Sequence, residues 1–231
     1  SRCFIADKAD LEMNLPSLMA NRVSSYRIFK WNDCSKAGFA SDTGNESNAA
    51  LNTQSCYDWG TGRDMGIDRE AVANHIYEDW PSAADCGKQQ YSPMMKTNNE
   101  PGNSADDRPQ DVATVLANWE NLMATGKRLC SPSSHDGSLG WLREFIDSID
   151  ARGWRCDIMD VHCYWPEGSF NNLSSWYSNY GNRPLWISEW VWGASWNKNG
   201  VFTSGWDDSY RVSQNAVVVK RILDKLNSWG Y

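Results

Sequence analysis

Short apolar runs alternate along the chain with longer stretches whose apolar residues recur every three or four positions, the order of a parallel sheet with crossover helices. The strand-like runs are residues 3–6 (CFIA), 25–31 (SYRIFKW), 54–59 (QSCYDW), 91–97 (YSPMMKT), 127–131 (KRLCS), 157–163 (DIMDVHC) and 184–188 (PLWIS). Between them, Asp68 stands where it would cap a helix over residues 69–79, with Val72, Ile76 and Trp80 forming one buried stripe. A second capped helix is predicted over residues 109–125, turning Val112, Val115, Leu116, Trp119 and Leu122 inward and stopping at Gly126. Further helices are expected at 139–152, 170–180 and 209–229, and the polar stretch 32–53 reads as a long loop.

This order predicts an α/β fold, a (β/α)8 barrel of the TIM type with seven strands in hand. Closure abolishes sheet edges, so the eighth strand, missing from this chain, is expected beyond Tyr231 or from a second chain. An open doubly wound sheet competes, but no glycine-rich phosphate turn follows the first strand. Residues 1–231 are therefore expected to form a single catalytic barrel domain, truncated at its C-terminus. Ser1 is not a start methionine and no signal peptide is present, so the chain reads as a processed or excised piece.

Composition narrows the function. The net charge of -7, from 22 basic and 29 acidic residues, offers no basic stripe for phosphates, so nucleic acid is excluded as a partner. Without an apolar run of about 18 residues, membrane insertion is excluded as well. Fourteen tryptophans exceed what a core needs, and flat rings with one polar edge suit the C–H faces of sugars. Seven cysteines include no CxxC pair; Cys130, Cys156 and Cys163 read as buried free thiols, while Cys34, Cys56 and Cys86 leave room for one disulfide.

In such a barrel the chemistry sits at the C-terminal ends of the strands. Glu100 ends one run in NNEP and Glu189 another in WISEW. Two carboxyls facing a tryptophan-lined cleft suit glycoside hydrolysis, one donating a proton to the leaving oxygen and the other attacking the anomeric carbon. Taken singly, each is equally well a solvated strand-end charge. Asn99 is placed to hydrogen-bond a sugar 2-hydroxyl, and His162 and Tyr164 lie at the end of a third strand, with Tyr164 able to donate to the nucleophile. Trp31, Trp59, Trp165, Trp190, Trp192 and Trp196 fall on the mouth side and are the expected sugar platforms. Trp80, Trp119, Trp141, Trp176 and Trp229 fall in helical patterns, and Trp186 packs inside its strand. His162 and Cys163 point to opposite faces of a strand and lack further ligands, so no metal is expected, and no GxSxG elbow offers a serine nucleophile.

The phrases NNEPGN, RLCSPSS, GWLREFIDSI, VHCYW and RPLWISEW occur in that order, and with them the chain resembles glycoside hydrolase family 128, endo-β-1,3-glucanases of the clan A barrel superfamily. The resemblance implies a retaining double displacement with Glu189 as nucleophile and Glu100 as acid/base, Asn99 as the 2-hydroxyl partner, and His162 and Tyr164 beside the cleaved bond. It asks that Glu100 be protonated while Glu189 is ionised. It implies no cofactor, a polysaccharide or oligosaccharide substrate, and an extracellular, periplasmic or cell-surface location. The run CYDWGTG departs from the more apolar third strand of similar enzymes. Two other readings stand beside it: a β-glucan-binding module without turnover, and a clan A hydrolase for another β-linked glycan.

Overall fold

The computed structural model describes residues 38–40, 55–61, 70–89, 92–106, 108–135, 139–181 and 183–229. The predicted strands at 3–6 and 25–31, and Trp31 with them, lie outside these residues. The strands in chain order are β1 (Gly38–Ala40), β2 (Ser55–Tyr57), β3 (Glu70–Ala71), β4 (Ala73–His75), β5 (Met94–Thr97), β6 (Arg128–Pro132), β7 (Met159–Trp165) and β8 (Leu185–Trp192). The helices are α1 (Ala83–Lys88), α2 (Val112–Ala124), α3 (Leu139–Ala151), α4 (Leu173–Asn179) and α5 (Asp208–Ser228).

Every strand pairing is parallel. The strands form the runs β1-β2-β3, β4-β5-β6 and β7-β8, an α/β fold. Only Val72 separates β3 from β4, so one extended stretch pairs with β2 at its start and with β5 at its end. Parallel bridges from Cys130 to Ile158 and from Ser134 to Val161 tie β6 to β7, and β1 lies alongside β8.

Two expectations are corrected. Residues 70–75, read as a helix, are strand, and residues 38–40, read as loop, are strand as well. In the first case Ala71, Val72, Ala73 and Ile76 are all buried together with Asn74 and His75, so the segment is covered on both faces. A helical stripe and a fully buried short strand look alike in a run of this length. His75 is held there as a structural histidine, Nδ1 against Pro81 O at 2.6 Å and Nε2 against the Asn118 amide at 3.3 Å.

The helical predictions from 109 onward hold closely. Asp111 caps α2 by accepting from Thr114 N at 2.7 Å, and Val112, Val115, Leu116, Trp119 and Leu122 are its buried face. Gly126 then takes the left-handed conformation, φ 75°, that ends a helix. Trp119 is wholly buried with its indole N–H on Arg155 O at 2.9 Å, stacked edge-on against Phe145 of α3. Met95, Leu129, Met159, Val161 and Cys163 meet this helical layer from the sheet. Cys86, Cys130, Cys156 and Cys163 are all buried free thiols, which removes Cys86 from the disulfide candidates.

Candidate active site

In β7 the alternation is complete: Val161, Cys163 and Trp165 face the helical layer, and Asp160, His162 and Tyr164 face the other way. In β8 a bulge breaks the register. Val161 pairs with Ile187 but His162 pairs with Glu189, which leaves Ser188 as the extra residue. A bulge re-aims side chains, and here it turns both Ser188 and Glu189 to the inner side. Glu100 arrives differently: β5 ends at Thr97, and Glu100 sits three residues beyond it in a turn, with φ 37°. Among the described residues four non-glycines have positive φ, and Trp59, Asn98 and Glu100 are three of them, so backbone strain gathers around the carboxylates.

The two carboxylates meet at one ring nitrogen. His162 Nδ1 lies 2.6 Å from Glu100 Oε1 and 3.6 Å from Glu189 Oε2. Those two oxygens are therefore no more than about 6.2 Å apart. Glu189 accepts three hydrogen bonds, from Tyr164 OH to Oε2 at 2.6 Å, and from Tyr57 OH at 2.9 Å and Trp59 Nε1 at 3.2 Å to Oε1. Glu100 accepts from the Asn103 amide at 2.7 Å. The two side chains are 15% and 16% exposed, enough for a ligand to reach them, whereas His162 is sealed at 0%.

Burial pushes the Glu100 carboxyl up, but the bond from His162, its proximity and the Asn103 amide outweigh burial and hold it below the usual range. Burial acts on Glu189 in the same sense and is outweighed by His162 and Lys96 beside it and by the Tyr164 and Tyr57 hydroxyls, so this carboxyl too is lowered. The expected raised Glu100 is thus corrected: donors aimed at both carboxylates favour both charges. Burial, followed by the Glu189 charge, drives the Tyr57 and Tyr164 hydroxyls far upward, keeping them as donors.

Of the predicted site residues the structure brings Glu100, Glu189, His162, Tyr164 and Trp59 together. His162 is placed beneath the carboxylates, out of reach of a sugar, which corrects its reading as a substrate contact. Asn99 directs its amide to Asp106 at 3.3 Å and makes no bond to either glutamate. Trp165, 5% exposed, packs on Phe170 and Trp176. Trp190 packs on Phe170, and Trp192 lies against Trp206. All three fall on the helix-facing side of their strands, Trp165 buried in the core and Trp190 and Trp192 partly buried against it. Trp196, 69% exposed, stands edge-on to Tyr164 at 5.5 Å.

The sequence reading missed Tyr57, Lys96, Asn103, Ser133, Asp160 and Ser188. Lys96 is wholly buried, with Nζ on Ser133 Oγ at 2.7 Å, Ser188 Oγ at 2.8 Å, His162 Nε2 at 3.2 Å and Asp160 Oδ2 at 3.2 Å. The signal was present as polar alternation, Asp160-x-His162-x-Tyr164, and as a lysine inside an otherwise apolar run, MMKT. Among the described residues, no group of three or more His, Cys, Asp or Glu side chains is placed to hold a metal, and no helix is long and apolar enough to cross a membrane.

Parallel strands, outer helices and an inward-facing carboxylate pair define the class, an α/β protein with an acidic site at its strand ends. Solved structures give its likeness. The chain matches an endo-β-1,3-glucanase of glycoside hydrolase family 128, subgroup I, from Amycolatopsis mediterranei, at TM-score 0.65 and 23% identity over 83% of each chain. It also matches an oligosaccharide-binding protein of subgroup VII from Trichoderma gamsii, at TM-score 0.62 and 19% identity over 86% of this chain and 80% of that one. A third match is a curdlan-specific exo-β-1,3-glucanase of subgroup III from Blastomyces gilchristii, at TM-score 0.59 and 20% identity over 83% and 85%. At these identities what is shared is the fold. No protein-family model and no curated protein sequence matches the chain.

Proposed function

We propose that the chain is a retaining glycoside hydrolase of β-1,3-glucan, a single barrel domain acting outside the cytoplasm on polysaccharide or oligosaccharide. The observation that carries this reading is the convergence of Glu100 and Glu189 on His162 Nδ1. Two carboxyls sharing one imidazole nitrogen lie close enough to face one glycosidic bond, which supports the short spacing of roughly 5–5.5 Å that a retaining pair needs. The likeness to glucanases supports the substrate class; crystals of the Amycolatopsis enzyme substituted at one or other of two glutamates hold laminari-oligosaccharides.

In this reading a Glu189 oxygen bonds to the anomeric carbon as the glycosidic C–O bond breaks, and the Glu100 proton passes to the departing oxygen. Glu100, now a carboxylate, takes a proton from the water that attacks the same carbon, and Glu189 leaves ionised. The hydroxyls of Tyr57 and Tyr164 and the indole N–H of Trp59 orient Glu189 for attack. Glu100 needs a proton in the first step, whereas His162 favours its charge in the free site. A glucan filling the cleft removes water from Glu100 and pushes its carboxyl upward, so proton uptake accompanies substrate binding.

A second reading, glucan binding without turnover, is favoured by that same pair of ionised carboxylates. Incubation with laminarin, followed by assay of new reducing ends, separates the two. Hydrolysis that disappears in Glu189→Ala supports the first reading. Binding of laminari-oligosaccharides with no new ends supports the second, and cleavage of a mannan or mixed-linkage glucan in preference to laminarin moves the substrate assignment.

A further inference from the structure

Beneath the two glutamates lies a buried cation that the hydrolytic steps do not use. Lys96 and Asp160 are both fully enclosed, and bringing two charges out of water is costly unless each is well partnered. Three N–H bonds of Lys96 go to Ser133 Oγ, Ser188 Oγ and His162 Nε2, which exhausts the donors of an ammonium group. Asp160 Oδ2 takes the Ser133 hydroxyl at 2.9 Å as well as the ion pair. An ammonium has no lone pair, so the His162 nitrogen facing it must accept. The single ring proton is then on Nδ1, the nitrogen that faces Glu100 and Glu189.

We propose that Lys96 is a positioning residue that fixes His162 as the neutral Nδ1–H tautomer and so supplies one proton, and no second, to the shared edge of Glu100 and Glu189. The groups facing this imidazole are Lys96, Glu100 and Glu189, with Asp160 and Tyr57 reached through Lys96 and Tyr164 beside the ring. Two carboxylates on one side would favour a doubly protonated ring. Lys96 on the other side blocks it, because Nε2 cannot gain a proton while accepting from an ammonium. The kinetic consequence rests on the proposed hydrolysis; the tautomer does not.

The chain has three histidines, so long-range 1H–15N correlation of the imidazole rings resolves them, with His162→Gln assigning the signal. Wild-type protein should show His162 protonated at Nδ1 and bare at Nε2. In Lys96→Met no donor faces Nε2, so the His162 nitrogen pattern should change, and kcat on laminarin should fall about 10-fold or more with KM changed less than about 2-fold. If loss of the Asp160 counter-ion unfolds this variant, Lys96→Met combined with Asp160→Asn removes both charges. A wild-type ring protonated at Nε2, or an unchanged His162 spectrum in either variant, overturns the proposal. Wild-type protein that cleaves no glucan defeats the functional reading alone, and the spectrum still decides the tautomer.

Discussion

Tyr164 donates its hydroxyl to Glu189 Oε2 at 2.6 Å, the shortest of the three bonds that Tyr164, Tyr57 and Trp59 make to that carboxylate. Donors from β2, from the turn after it and from β7 thus hold one side chain of β8 from two directions. A bond to a charged acceptor is worth roughly 1.5–3 kcal/mol. Tyr164→Phe is expected to lower kcat on laminari-oligosaccharides about 10- to 100-fold, with the acid limb of the pH–rate profile displaced upward. An unchanged kcat would show that this bond does not hold the reacting group.

Glu100 is assigned to proton transfer, and proton transfer matters only when the departing oxygen is basic. Glu100→Ala is expected to lose about 100- to 10,000-fold on laminarin. With a dinitrophenyl β-glucoside chain, whose leaving group departs without a proton, the first step should be spared and glycosyl-enzyme should accumulate. Mass spectrometry of the quenched reaction reads the covalent adduct. Equal losses on both substrates would remove the acid role.

Much of this site was legible as period-two alternation. Asp160, His162 and Tyr164 share a face because β7 is regular, and the NNEP and WISEW runs each end near the acidic site. Strand position alone did not tell which way each tryptophan turns, and Trp165, Trp190 and Trp192 follow the same alternation toward the helical side. The bulge at Ser188 left no mark in the sequence pattern, for it arises from pairing with β7 and not from a local turn signal. Residues 70–75 were lost to a helical period because buried strands and buried helices look alike over six positions. Lys96 was overlooked since its partners lie 37, 66 and 92 positions away.

Trp196 is presented by a loop pinched at its neck. A Cβ on Gly193 would meet Asn199 O at 2.2 Å, and one on Gly200 would meet Trp192 O at 2.4 Å; both residues also have positive φ. Gly193 N donates to Trp165 O at 2.7 Å and Ala194 N to Asn199 Oδ1 at 2.7 Å, closing the neck. If Trp196 stacks on glucan, its removal costs about 0.5–1.5 kcal/mol beyond lost area. Trp196→Ala and Gly193→Ala should each weaken laminarihexaose binding about 2- to 10-fold by calorimetry, with kcat little altered. Full affinity in Trp196→Ala would place the sugar elsewhere.

Stability should fall at both ends of the pH scale, for opposite reasons. Glu100 and Glu189 are held below their ordinary value of 4.5 in the folded chain, so the unfolded chain binds protons first. Their contribution is complete above that value and is lost as pH drops through the folded values. Tyr57 and Tyr164 are pushed upward by burial and by Glu189, so the unfolded chain loses their protons first, and their contribution is complete below 10.0 and lost above it. Tm should therefore be level across neutral pH, decline below about pH 4.5 and decline again above about pH 10. Glu100→Gln should chiefly flatten the acid decline, whereas Tyr164→Phe should flatten the alkaline decline and, by removing a donor from Glu189, part of the acid one as well. A Tm for Glu100→Gln that falls on acidification as steeply as the wild type would mean that this carboxylate gains nothing from His162 on folding.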